Sequence, residues 1–211
     1  MTIYDITLPI SPELIVWPGD PPIEVSQVMQ LARGDVCTLT HVAMSAHTGT
    51  HLDAPAHFIL GGGTVESLDL NLLMGPALVV DVGDAAAVTA VTLNALNIPP
   101  NTERLLLKSK NSARWAVGES SFYMPFVAIE ADGAQWLVDH GVKLVGVDYL
   151  SIAPFHDVEP THKILLGAEV IAVEGLNLHG IVPGAYELIC LPMKIADSDG
   201  APVRAVLISG R

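Results

Sequence analysis

With 211 residues, half of them apolar and only 16% charged, the chain is long enough for one domain with a sizeable core and too apolar to be disordered. Ten basic residues against 23 acidic ones leave a net charge of −13, a field that repels nucleic acid and anionic lipid. The opening MTIYDITLPISPEL lacks the pattern of a signal peptide, and Asp81 and Asp84 interrupt the most apolar region well short of the roughly 20 residues that span a bilayer. A cytoplasmic protein without nucleic-acid or membrane partners is therefore expected, its two cysteines, Cys37 and Cys190, read as buried reduced thiols.

In chain order, the first segment carries Pro9, Pro12, Pro18, Pro21 and Pro22, which forbid a long helix and predict an extended, looping entry. PALVVDVG (76–83) and RLLLKS (104–109) read as buried strands, with Thr92 placed to cap a short helix between them. IEADGAQWLVDHG (129–141) predicts a helix stopped by Gly141, with His140 as a C-terminal cap. KLVGVDYL (143–150) follows as a strand whose unbroken apolarity implies cover on both faces. THKILLGAE (161–169) predicts a helix and VIAVEGL (170–176) a strand; YELICLPMKI and APVRAVLIS read as two strands joined by the turn-forming DSDG at 197–200. No repeat, charge block or linker divides the chain, so residues 1–211 are expected to form a single mixed α/β domain.

The densest chemistry lies in HTGTHLDAPAHF (47–58). A helical reading, with His47 and His51 at i and i+4, founders on Gly49, Pro55 and the strand-favouring Thr48 and Thr50. An extended reading places His47, Gly49, His51 and Asp53 at one parity and hence on one face, after which Pro55 turns the chain and His57 swings back to the same place. Two imidazoles and a carboxylate on one side suit Zn²⁺ or Mn²⁺ with positions left for water. Of the remaining histidines, His41 lies about 20 Å away along an extended strand and reads as structural, and neither His156 nor His179 has a strong claim. His162 reads as opening a helix and Glu174 as ending a strand, positions where α/β enzymes place chemistry. The glycines at 61–63 lack the lysine of a phosphate loop and read as a turn near the site. Asp148 reads as a side chain that either orients a ligand or caps a turn.

HTGTHLDAPAHF resembles the HxGTHxDxPxHF signature of the metal-dependent cyclase family, which includes bacterial kynurenine formamidase and isatin hydrolase. VWPGDPP (16–22), GVDYLSI (146–152), the pair His162 and Glu174, and PGAYELICLP (183–192) resemble further family segments in the same order, so the resemblance spans nearly the whole chain. It implies a compact α/β domain with a mixed, barrel-like sheet flanked by helices, of the swivelling β/β/α type, assembled as a homodimer or homotetramer. It implies His47, His51 and Asp53 as ligands of one metal, His162 and Glu174 as ligands of a second bridged by Asp53, His57 as the catalytic histidine, and Trp17 as a wall of the substrate pocket. Isatin hydrolase, with a single metal, has glutamine where this chain has Glu174, so the carboxylate favours two ions. The implied reaction is hydrolysis of an amide, formamide or cyclic amide by metal-activated water with His57 as general base, N-formylkynurenine being the leading substrate and lactones the alternative. A non-catalytic metal- or ligand-binding member of the family is the rival class, and His57 speaks against it because a pure binder needs no base.

Overall fold

The computed structural model describes residues 1–210. Its first third holds four strands, β1 (Thr2–Asp5), β2 (Glu24–Met29), β3 (Leu39–Ala43) and β4 (His51–Asp53), followed by one helical turn, α1 (Leu70–Leu73). Strands and helices then alternate: β5 (Met74–Asp81), α2 (Ala90–Ala95), β6 (Arg104–Lys108), α3 (Ser112–Ala116), α4 (Ala131–Asp139), β7 (Leu144–Val147), α5 (Val158–Gly167) and β8 (Ile171–Glu174). Two long strands, β9 (Gly184–Pro192) and β10 (Gly200–Ser209), close the chain.

Seven strands lie in the order β10-β4-β8-β7-β6-β5-β9, and β9 pairs back onto β10, so the sheet closes on itself. The run from β5 to β8 is parallel, the crossovers carrying the helices, and the other pairings are antiparallel. β1 adds to the free length of β10 beyond β4. This is the single mixed α/β domain that the sequence pattern predicts, with the barrel-like sheet that the family resemblance implies. Closure removes the exposed edges an open sheet of this size would present.

Strand parity divides the core into two layers. On β6, Leu106 joins the cluster inside the ring with Val173, Leu188 and Leu207, while Leu105 and Leu107 face the layer under α2, α4 and α5 with Leu93, Leu137 and Leu165. β7 and β8 divide the same way, Leu144 and Ile171 inward, Val145 and Ala172 outward. That double burial is why these strands read as continuous apolar runs. Gly146 interrupts β7 for a packing reason: a Cβ there would stand 2.6 Å from both Leu106 Cδ2 and Leu176 Cδ1.

Three local expectations need correction. Thr89, not Thr92, caps α2, its hydroxyl accepting from the Thr92 N–H at 3.2 Å. α5 begins at Val158 rather than Thr161, because Pro160 in the first helical turn needs no donor and does not stop the helix. Cys37 is exposed and only Cys190 is buried, both as free thiols; burial lifts the Cys190 thiol to about 12. Cys37 is exposed because β2 and β3 pair only with each other among the described residues and form an arm outside the ring. The predicted stop of α4 is in place: His140 Nδ1 donates to the Trp136 carbonyl at 2.7 Å, and Gly141 takes φ +77°. Asp148 anchors a turn, its carboxylate accepting from the N–H and hydroxyl groups of Ser109 and Ser112. No helix among the described residues is long and apolar enough to cross a membrane.

Candidate metal centre

Antiparallel pairing of β4 with β8 sets His51 opposite Glu174 and Asp53 opposite Ala172. Parity puts His51 and Asp53 on one face, and register adds Glu174 to it. All three are buried, as is His162, which α5 lowers onto the same spot. His162 sits in the second turn of α5 rather than at its start, and its Nδ1–H donates to the Val158 carbonyl one turn back at 2.6 Å. That bond commits Nε2 to the cluster, 3.3 Å from Glu174 Oε1 and 3.6 Å from Asp53 Oδ2. His51 is held likewise: Nδ1–H donates to the Gly49 carbonyl at 3.0 Å, and Nε2 lies 3.6 Å from Asp53 Oδ1 and 3.3 Å from Glu174 Oε2. Glu174 Oε1 is steadied by the Ile152 N–H at 2.7 Å.

His47 reaches the cluster by a different route from the one its parity suggests. The regular strand covers only His51–Asp53, and the chain before it bends through Gly49 at φ +64°, where a side chain would be strained and its Cβ would meet Ile10 Cδ1 at 2.8 Å. Gly175 completes the crossing, since a Cβ there would fall 2.1 Å from the Gly49 carbonyl oxygen. The His47 ring comes in from the turn with Nδ1 2.8 Å from Asp53 Oδ1 and Nε2 3.0 Å from Asp199 Oδ2. Space for it comes from Gly200, whose Cβ would lie 2.5 Å from His47 Cε1.

Pro55 starts a short 3-10 turn, Pro55–His57, and this turn carries His57 back as the spacing predicts. Its ring stacks on His47 with centroids 3.9 Å apart and bonds Asp199 Oδ2 through Nδ1 at 3.0 Å. Phe58 packs face to face on His162 at 4.2 Å and edge-on against His57 at 4.6 Å. The sequence-predicted residues His47, His51, Asp53, His57, His162 and Glu174 are thus brought together, and Asp199 is the member that sequence reading missed. DSDG gives a turn signal only, and the histidines Asp199 touches lie 152 and 142 residues away.

Three overlapping donor groups have ligand atoms within 4.8 Å of one another: His47, His51 and Asp53; Asp53, His162 and Glu174; and His47, His57 and Asp199. The first two share Asp53, the arrangement a bridging carboxylate would have. Two buried atoms there, His51 Nε2 and Asp53 Oδ2, have no hydrogen-bond partner. Such orphans cost on the order of 1–3 kcal/mol each unless something binds them, and a divalent cation fits a nitrogen lone pair and a carboxylate oxygen aimed at one point.

The protonation pattern agrees. Burial works against charge on His47, but the Asp53 and Asp199 carboxylates outweigh it and raise the imidazole to about 9. His51 and His162 are likewise raised against their own burial, chiefly by Glu174, and Glu174 is held far below the usual carboxylate range by those two rings. Protons on the imidazoles here supply the counter-charge that a cation would supply instead. His57 differs: burial lowers its affinity for a proton, and the nearby carboxylates only partly offset that.

A cavity of about 240 Å³ opens over the cluster. Trp17, Phe58, Leu150 and Val158 give it apolar walls, and Asp20, Ser45 and Ser151 add polar groups. Trp17 is fixed by edge-on contact with Phe122 at 5.2 Å and by Phe155 at 5.2 Å. Of these residues only Trp17 was expected from sequence.

A closed mixed barrel with two donor sets sharing a carboxylate at the floor of a small cavity defines an α/β protein of the metal-dependent hydrolase type, built for a divalent cation. The comparisons agree: the family model described as "Putative cyclase" matches residues 4–154, and the chain belongs to that family. Cyclase-like protein 2 of Oryza sativa subsp. japonica is 43% identical over 184 residues, covering 84% of this chain and 68% of that protein. Cyclase-like protein 1 of Arabidopsis thaliana is 36% identical over 215 residues, covering 98% and 84%. A solved structure described as a potential metal-dependent hydrolase with cyclase activity superimposes with a TM-score of 0.85 at 32% identity, covering 98% of this chain and 96% of that one. Isatin hydrolase A from Labrenzia aggregata shares the fold, with a TM-score of 0.83 at 21% identity over 99% of this chain and 94% of that one.

Proposed function

We propose that the protein hydrolyses a small amide, formamide or cyclic amide, with His47, His51, Asp53, His162 and Glu174 holding two zinc or manganese ions bridged by Asp53. One observation carries this reading. His57 stands at the cavity outside the two donor sets that share Asp53, with Nδ1 engaged by Asp199 at 3.0 Å and its proton affinity lowered by burial. A neutral imidazole with one free nitrogen beside a cation cage has a use in proton transfer and none in mere binding.

A bound divalent cation would polarise the substrate carbonyl and lower the pKa of a coordinated water. The side chains do the rest. His57 Nε2 takes a proton from the attacking water as its oxygen adds to the carbonyl carbon. It then hands that proton to the leaving nitrogen as the C–N bond breaks, which yields an acid and an amine. Trp17, Phe58, Leu150 and Val158 form an apolar slot suited to an aryl group. N-aryl formamides such as N-formylkynurenine and aryl lactams such as isatin fit that description, and lactones are the second choice. Association into a homodimer or homotetramer belongs to the same reading, supported by the β2–β3 arm. Val28 and Leu39 there are exposed by half or more, and residues 24–43 carry one arginine against two carboxylates in a chain of net charge −13.

Zinc- or manganese-loaded protein incubated with formanilides, isatin and lactones tests the proposal. Turnover of a formanilide or a lactam that chelation abolishes and metal restores is the expected result. Complete inactivity across the panel with both sites filled would overturn it in favour of a binding module.

A further inference from the structure

A turn needs no carboxylate clamped between two imidazoles, yet Asp199 is so held. The backbone of the 197–200 turn is already fixed by other bonds: Ala54 N–H to the Asp199 carbonyl at 2.8 Å, Val65 N–H to the Ser198 carbonyl at 2.9 Å, and Asp197 N–H to Glu66 Oε1 at 2.8 Å. The Ser198 hydroxyl adds a fourth, to the Gly200 carbonyl at 2.6 Å. The Asp199 side chain is therefore surplus to the turn. Among the described residues it pairs with no lysine or arginine, and nearly half of it is open to solvent. Its Oδ2 alone accepts from His57 Nδ1 and from His47 Nε2, each at 3.0 Å, while the two rings lie stacked above it.

We propose that Asp199 is a positioning residue for the base, using one oxygen to hold His57 as the Nδ1–H tautomer and to seat the His47 ring against Asp53. The assignment rests on the reading of His57 as the base. The tautomer follows from the bond: a carboxylate oxygen accepts, so the proton of neutral His57 must be on Nδ1, and Nε2 keeps its lone pair for the substrate side. Without the carboxylate both tautomers are open and the ring is free to turn, so some of the bound substrate meets an N–H where it needs an acceptor. The common oxygen also ties the base to a ligand ring, so the two are set in place by a single group on β10.

Asp199→Asn keeps the shape and removes the charge, and Asp199→Glu keeps the charge on a longer arm. In zinc-loaded protein, Asp199→Asn is expected to lower kcat by about 10–100-fold, the usual loss when such a supporting carboxylate is removed. KM should stay within about twofold, since the residue does not line the substrate cavity. Zinc content should equal that of the unaltered protein, and Asp199→Glu should recover part of kcat. Nitrogen-15 NMR of the His57 ring provides a readout independent of turnover: one Nδ1–H tautomer in the unaltered protein, a mixture in Asp199→Asn. An unchanged tautomer overturns the proposal, and so does a loss of activity that saturating zinc restores in full, which would place the effect in metal retention and not in the base. If the unaltered protein hydrolyses nothing, the proposed function fails while the ring-nitrogen spectra still decide the role of Asp199.

Discussion

The floor of the metal centre, β4, and the β2–β3 arm are joined by seven residues, 44–50, and are built on opposite principles. β4 is buried along its whole length and pairs on both edges, with β8 and β10. Among the described residues the arm pairs only within itself, and most of its residues are exposed. A two-stranded ribbon is marginal in water by itself, whereas the floor is fixed by register, by a helix and by glycine contacts that leave no room for a side chain. The lesson is that position along the chain predicts neither rigidity nor role here. Chemistry sits where every neighbour over-determines the geometry, and the exposed arm carries none of it.

The largest effect should come from removing the shared carboxylate. Asp53→Ala is expected to leave purified protein with almost no bound metal and activity at background, by elemental analysis and assay; retention of one full equivalent would break the bridging assignment. Because cations displace protons from His47, held near 9, apparent metal affinity should climb as pH rises towards 9 and protons should be released on binding. Calorimetry in buffers of different ionisation enthalpy measures both.

Next comes the base. His57→Ala should cost about 10²–10⁴ in kcat, the usual range for a general acid–base group, with metal content unchanged. The sign of its pH dependence follows from burial, which lowers the His57 pKa below 6.5. The neutral, active form persists to below that pH, and the acid limb of the rate profile should fall there and vanish in His57→Ala.

A smaller loss is expected from Gly200→Ala, whose methyl group would press on the His47 ring at 2.5 Å. Overpacking of this kind costs about 1–3 kcal/mol, seen as weakened metal binding and a lower melting temperature. The smallest effect on stability belongs to the arm. Val28→Ser with Leu39→Ser should change unfolding free energy by under about 0.5 kcal/mol per site and leave kcat intact. Light scattering should meanwhile show a smaller particle. A fall in kcat as large as that for His57→Ala would erase the contrast between the two regions.

The ligands close in sequence were legible because Asp53 follows His51 by two residues on one strand and Pro55 brings His57 back. His47 was found for an incomplete reason. Parity names it, but Gly49 at φ +64° ends the strand before it, and the ring arrives from a turn. The doubly covered strands were readable from their unbroken apolar runs, whereas closure into a barrel was implied only by the family resemblance. The start of α5 was misread because Pro160 looks like a boundary yet is harmless in a first turn. The arm went unseen, and with it the exposure of Cys37, because a ribbon exposed over most of its length has no single buried face to impose a pattern. Asp199 went unseen because its partners meet it only when β10 pairs with β4, and nothing local distinguishes it from an ordinary turn residue.

The two thiols have a practical consequence. Cys190, sealed inside the ring with its thiolate strongly disfavoured, will not react with a maleimide while the protein is folded. Cys37 stands open on the arm. The chain therefore carries a ready-made single attachment point for a fluorophore or spin label, ten residues ahead of His47. A label there needs no engineered cysteine, and with manganese loaded its relaxation would report the arm's distance from the metal centre.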